Sequence, residues 1–124
     1  MTELARVEVE QRDGTTVARV SGELDVSNAI AKGRELEAAV DSASAGLVID
    51  LTGVGFLDSS AIGVLFGLAR KLGARRQKLA VVMPESSPVR RALEIVQFER
   101  AAPLCGTLDE ALFHDRGDVG GSVA

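Results

Sequence analysis

The chain has 124 residues, 46% of them apolar and 26% charged, with a formal net charge of −4. That is the length of one domain with material for a proper core, and the acidic balance excludes general affinity for nucleic acid. No apolar run approaches the roughly 20 residues of a membrane span, the first five residues lack the blocks of a signal peptide, and a single cysteine, Cys105, excludes an internal disulfide framework and fits a reducing cytoplasm.

Residues 5–11 alternate Val7 and Val9 against Arg6, Glu8 and Glu10, the period of a half-buried strand. Asp13-Gly14 predicts a two-residue hairpin turn, and residues 15–21, rich in β-branched side chains, predict the returning strand. Gly22-Glu23-Leu24-Asp25 is expected to break it. Ser27 or Asn28 caps a helix that places Ile30, Gly33, Leu36 and Val40 on one face. After a loop of small residues, Leu47-Val48-Ile49-Asp50-Leu51 reads as a strand buried on both faces, as in a sheet covered by helices. Thr52-Gly53-Val54-Gly55 is expected to turn.

The central helix opens at Asp58-Ser59-Ser60 and reaches Gly73. Asp58 is its natural N-cap, with a carboxylate that can accept from the N–H of Ser60 or Ala61. Ser59 then stands in the first turn with its hydroxyl toward solvent, at the positive end of the helix dipole. At 100° per residue, Ile62, Leu65, Phe66, Ala69 and Leu72 make an apolar face, and Ser60, Gly63, Val64, Gly67 and Lys71 make the opposite stripe. Two interior glycines cost about 1 kcal/mol each against alanine. Such a smooth stripe, beginning at a serine, suits close approach of another surface, with packing under one of the protein's own loops as the alternative.

The segment 78–83 is a second apolar strand, ended by Pro84. Ser86 or Ser87 caps the next helix, with Pro88 at its first position and Val89, Leu93 and Val96 on its apolar face. Residues 98–102 suggest a weak fifth strand, and Thr107-Leu108-Asp109-Glu110 a capping box for a last helix that buries Ala111 and Leu112. The Gly-rich segment 115–124 reads as a disordered tail. The expected architecture is therefore α/β: one domain over residues 1–114, with a mixed sheet of four to five strands and about four helices packed on it.

Catalytic chemistry finds little support. The only histidine, His114, falls at the end of the last helix, and no G-x-S-x-G elbow, P-loop or G-x-G-x-x-G fingerprint occurs. Cys105 reads as a small apolar residue. Asp25, Asp50 and Asp58 end strands or loops near one sheet edge, but caps and turns explain them better than a metal, so no metal or cofactor is expected. Arg70, Lys71, Arg75, Arg76 and Lys78 complement a helix C-terminus and could also meet an acidic partner.

Three blocks carry a resemblance. Gly22-Glu23-Leu24-Asp25, then Val48-Ile49-Asp50-Leu51-Thr52-Gly53-Val54, then Phe56-Leu57-Asp58-Ser59-Ser60-Ala61-Ile62-Gly63-Val64-Leu65 resemble the STAS domain of bacterial anti-sigma factor antagonists. Ala61 departs from the Gly that the family often has there. The resemblance implies a cytoplasmic regulator and not an enzyme. Unphosphorylated, such a protein binds an anti-sigma factor, which is also an ATP-dependent serine kinase, and so frees a sigma factor. Phosphorylation of Ser59 breaks the complex, and a separate serine phosphatase restores it. The partner would meet Asp25, Asp58, Ser59, Ser60, Gly63, Val64, Gly67 and Lys71, with no direct role for nucleic acid or membrane. The alternative is a STAS module that binds a nucleotide or small ligand, or serves as a scaffold. The lack of a phosphate-cradling loop counts against it.

Overall fold

In the computed structural model, which describes residues 4–116, the chain runs β1 (Ala5–Arg12), β2 (Thr15–Leu24), α1 (Ala29–Ala39), β3 (Gly46–Leu57), α2 (Ser59–Ala74), β4 (Lys78–Val82), α3 (Pro88–Ile95), a 3-10 turn (Phe98–Arg100), β5 (Leu104–Cys105) and α4 (Leu108–Arg116). The strands form one mixed sheet in chain order, with β1 and β2 antiparallel and β2 through β5 parallel. Five strands and four helices match the architecture expected from the sequence.

Local chemistry explains the junctions. Asp13 (φ 53°) and Gly14 (φ 81°) both take left-handed backbone, as the hairpin turn between β1 and β2 requires. Ser87 accepts from Val89 N–H and Pro88 follows at the first helical position. In the capping box of α4, Glu110 N–H donates to Thr107 Oγ1 at 3.2 Å, and Glu110 Oε1 accepts from Thr107 N–H at 3.2 Å.

The sheet divides the core in two because successive strand residues point to opposite faces. On one face Ala18, Val20, Leu47, Ile49, Leu51, Leu79 and Val81 pack with Leu36, Leu65, Leu68, Leu72 and Leu93 of α1, α2 and α3. On the other, Val17, Val48, Ala80 and Val82 meet Ala111 and Leu112 of α4. Leu65 and Leu72 are essentially inaccessible to solvent, and each such side chain contributes about 1.5–3 kcal/mol by leaving water.

Several elements differ from expectation. The sequence Thr52-Gly53-Val54-Gly55 does not turn. The strand β3 continues to Leu57, paired with β2 through Ser21–Gly53, Gly22–Val54, Glu23–Phe56 and Leu24–Leu57, with register shifts that absorb the irregularity. Nor does Gly22 break β2. Its φ of 101° and its approach to Leu4 O, which a Cβ would overlap, are what demand glycine there. In α1 the buried residues are Ala29, Gly33 and Leu36, while Ile30 is 63% exposed.

In α2 the fully buried set is Ala61, Leu65, Leu68 and Leu72. Ile62, Phe66 and Ala69 are half-buried at the side of the core, where Phe66 meets Phe98 edge to face at 5.0 Å. The expected strand at 98–102 is a 3-10 turn entered through left-handed Gln97, and the fifth strand lies just after it. Val96 is exposed beyond the end of α3. Asp115, expected in the tail, belongs to α4 and is buried. The rest of the expected tail, residues 117–124, lies outside the described residues.

Candidate functional site

The site grows from the point where β3 hands over to α2. Asp58 N–H donates to Leu24 O at 3.2 Å, which ties the junction to the end of β2. The Asp58 carboxylate then serves two elements. Oδ1 accepts from the N–H groups of Ser60 (2.9 Å) and Ala61 (3.1 Å), the expected N-cap. Oδ2 accepts from Val26 N–H at 3.0 Å, so the same side chain pins the loop between β2 and α1.

That loop is itself closed by local bonds. Asn28, at the N-cap position of α1, makes no side-chain cap. Its Oδ1 accepts from Asp25 N–H at 2.9 Å, and its Nδ2 donates to Glu23 O at 2.9 Å. Asp25 Oδ1 accepts from the hydroxyl and the N–H of Ser27. These two donors, the hydroxyl foremost, hold the Asp25 carboxyl below the usual carboxylate range. Asp50 is taken up in the same way by Thr52 N–H at 2.9 Å. The three aspartates are thus turn and cap residues. Among the described residues no group of three or more His, Cys, Asp or Glu is placed to hold a metal ion, and no helix is long and apolar enough to cross a membrane.

Against this fixed frame Ser59 is exposed, in the first turn of α2, and its hydroxyl has no hydrogen-bond partner among the described residues. Ser60 beside it is half-buried. The segments that meet at this junction expose apolar side chains that a folded monomer gains nothing by exposing: Val26 at 75% in the loop tied to Asp58, Phe56 at 48% near the end of β3 and Ile30 at 63% in the first turn of α1. Sequence reading missed Val26 and Phe56 as surface features and assigned Ile30 to the core. The signal was present for Ile30, since Ala29 stands with Gly33, Leu36 and Val40 at successive spacings of four, three and four, the closer match to one helical face.

The stripe of α2 is not uniform. Gly63 is exposed, and a Cβ there would meet nothing within 4 Å. A Cβ on Gly67 would meet only Arg70 Nη2, at 3.8 Å. Neither glycine is therefore needed for internal packing. Val64 is different: it is half-buried against α1, where a Cβ on Gly33 would overlap its side chain. Lys71 reaches across to Glu37 Oε1 at 3.2 Å, and Arg75 pairs with the other oxygen of Glu37. The expected partner-facing residues thus divide into a cluster at the helix start, Asp25 with Asp58 to Ser60, a seam against α1 carrying Val64, Gly67 and Lys71, and Gly63, which is exposed outside that seam.

Comparison with known proteins adds a family. The STAS domain profile matches residues 6–111. The anti-sigma-F factor antagonist RsfB of Mycobacterium tuberculosis is 32% identical over 111 residues, covering 90% of this chain and 89% of that protein. The crystal structure of an anti-sigma factor antagonist from Mycobacterium paratuberculosis superposes with a TM-score of 0.79 at 35% identity, covering 90% of this chain and 94% of that one. SpoIIAA in its unphosphorylated form shares the fold, with a TM-score of 0.71 at 23% identity over 90% of this chain and 97% of that one.

Proposed function

The chain belongs to the STAS domain family, and from that premise we propose that it is an anti-sigma factor antagonist switched by phosphorylation of Ser59. In the unphosphorylated form it binds an anti-sigma factor through the Ser59 end of α2 and frees a sigma factor. The anti-sigma factor is also the ATP-dependent serine kinase that modifies Ser59, and a serine phosphatase reverses the step. The protein itself is a cytoplasmic binding module that performs no catalysis, needs no cofactor, and contacts neither nucleic acid nor membrane.

One observation carries this reading above the rest. The exposed, unbonded hydroxyl of Ser59 stands at a helix start whose cap, Asp58, also holds the loop that exposes Val26. A kinase can reach such a hydroxyl, and a partner that covers it can bury exposed Val26 with it. Phosphorylation adds about −1.5 to −2 charges beside the Asp58 carboxylate. The helix N-terminus tolerates that charge, so the fold survives. A partner surface made for a neutral hydroxyl and apolar side chains does not, because it would have to desolvate the phosphate.

The test is a calorimetric titration of the chain against the anti-sigma factors of its source organism. Binding of one of them by the wild type, weakened by Ser59→Asp and kept by Ser59→Ala, is the expected pattern. Because the mimic carries one charge against nearly two, its effect will be partial.

A further inference from the structure

Beyond the Ser59 end, a groove of about 250 Å³ runs between α1 and α2. Gly33, Val64 and Gly67 floor it, and Ile30 stands at its rim with most of its side chain in solvent. The rims are cationic. Arg34 comes from α1 and Arg70 from α2, both exposed, and neither has an ion pair or hydrogen bond among the described residues. Arg70 lies over the floor, with Nη2 3.8 Å from where a Cβ on Gly67 would stand. The one carboxylate on the rim, Glu37, is already matched by Lys71 and Arg75. Two unmatched guanidiniums therefore face one apolar-floored channel on a chain whose net charge is −4.

We infer that this groove reads an acidic segment of the partner that also carries an apolar side chain, with Arg34 and Arg70 taking its carboxylates and Val64 and Ile30 its apolar group. The inference rests on the antagonist reading above and specifies the chemistry of the surface that the antagonist selects. A guanidinium offers a planar fork that matches a carboxylate in two parallel hydrogen bonds. The absence of a side chain at Gly67 lets a segment sink between the two arginines and not ride above them. A second copy of this chain would bring the same cations face to face. A nucleotide phosphate finds no cradle there, since mid-helix N–H groups are spent on the helix itself.

The test uses the full chain and the anti-sigma factor that it binds in the titration above, measured at about 50 and about 300 mM NaCl. The double variant Arg34→Glu, Arg70→Glu is expected to weaken binding by about tenfold or more and to remove most of its salt dependence. Arg34→Gln with Arg70→Gln should fall between it and the wild type, and carries the same test should the Glu pair not fold. Both should keep the wild-type melting temperature, because neither arginine has a partner within the described fold. A Gln or Glu pair that binds within about twofold of wild type, while Ser59→Asp still weakens the complex, overturns the groove and leaves the antagonist reading standing. A wild-type chain that binds no anti-sigma factor overturns both.

Discussion

Asp58 and Asp115 sit at opposite ends of the central strand β3 and are treated in opposite ways. Asp58 follows the C-terminal end of β3, and its two oxygens accept three backbone N–H groups from two elements. Asp115 lies in the last turn of α4, beside Gly46 at the start of β3. It is 1% exposed, and neither of its oxygens has a hydrogen-bond partner among the described residues. Burial pushes its carboxyl up to about 7, with Lys78 pulling weakly the other way, and the carbonyl end of a helix disfavours an anion further. One aspartate organises a surface and costs the fold nothing. The other burdens the fold where no surface is organised. Charge in a small domain is tolerable where backbone donors can be aimed at it, and the start of a helix supplies them.

The largest expected effect would sharpen that contrast through pH. The native state holds the Asp115 proton to a higher pH than the unfolded chain does. Its contribution to stability is therefore complete below about pH 4 and lost as the pH climbs through about 7. At about 1.4 kcal/mol per pH unit, the loss reaches at most about 4 kcal/mol. Asp115→Asn should flatten this fall, seen as a difference in urea-unfolding free energy between wild type and variant from pH 4 to 8. Equal slopes for the two proteins would show that Asp115 stays solvated.

Next in size is Asp58→Ala. Loss of a helix cap costs about 1–2 kcal/mol, and here it also frees Val26 N–H, so the loop between β2 and α1 loosens with it. Hydrogen exchange at Val26, Ser60 and Ala61 should rise together. A rise confined to Ser60 and Ala61 would mean that the loop holds itself through Asp25, Ser27 and Asn28.

A smaller and opposite change is expected at Gly67. Alanine there meets only Arg70 Nη2 at ordinary contact distance, so Gly67→Ala should stabilise the free domain by up to about 1 kcal/mol. Gly67→Leu should leave the free fold standing and cut partner affinity. A lower melting temperature for Gly67→Ala would place that glycine among the fold's internal requirements, as Gly22 and Gly33 are.

What the sequence made legible follows the range of the forces involved. The Asp58 cap, the Asp13-Gly14 hairpin, the Ser87-Pro88 helix start and the Thr107–Glu110 box are each complete within a few residues, so their side chains announce them. The glycines at 53 and 55 look like a turn because the strand pairing that overrides them comes from β2, some thirty residues earlier. Ile30 looked internal because the true core positions beside it, Ala29 and Gly33, are small and weak in any hydrophobic pattern. Asp115 could not be read as buried at all, since a charged residue after the last apolar pair resembles the start of a tail. At the site, the Asp58 cap and the exposed position of Ser59 were legible for the same local reason. The exposure of Val26, Ile30 and Phe56 was not, because they belong to three separate segments, the loop after β2, α1 and β3.

The central claim concerns Ser59, and one measurement addresses it most directly. The chain is incubated with ATP and the anti-sigma factor found to bind it, any modified residue is mapped by mass spectrometry, and the phosphorylated and unmodified chains are titrated against that factor under non-hydrolysing conditions. The predicted result is phosphate on Ser59 alone, an unchanged circular dichroism spectrum, and affinity lost only in the phosphorylated chain. Phosphate on the half-buried Ser60 in place of Ser59, or undiminished affinity with Ser59 fully modified, would contradict it.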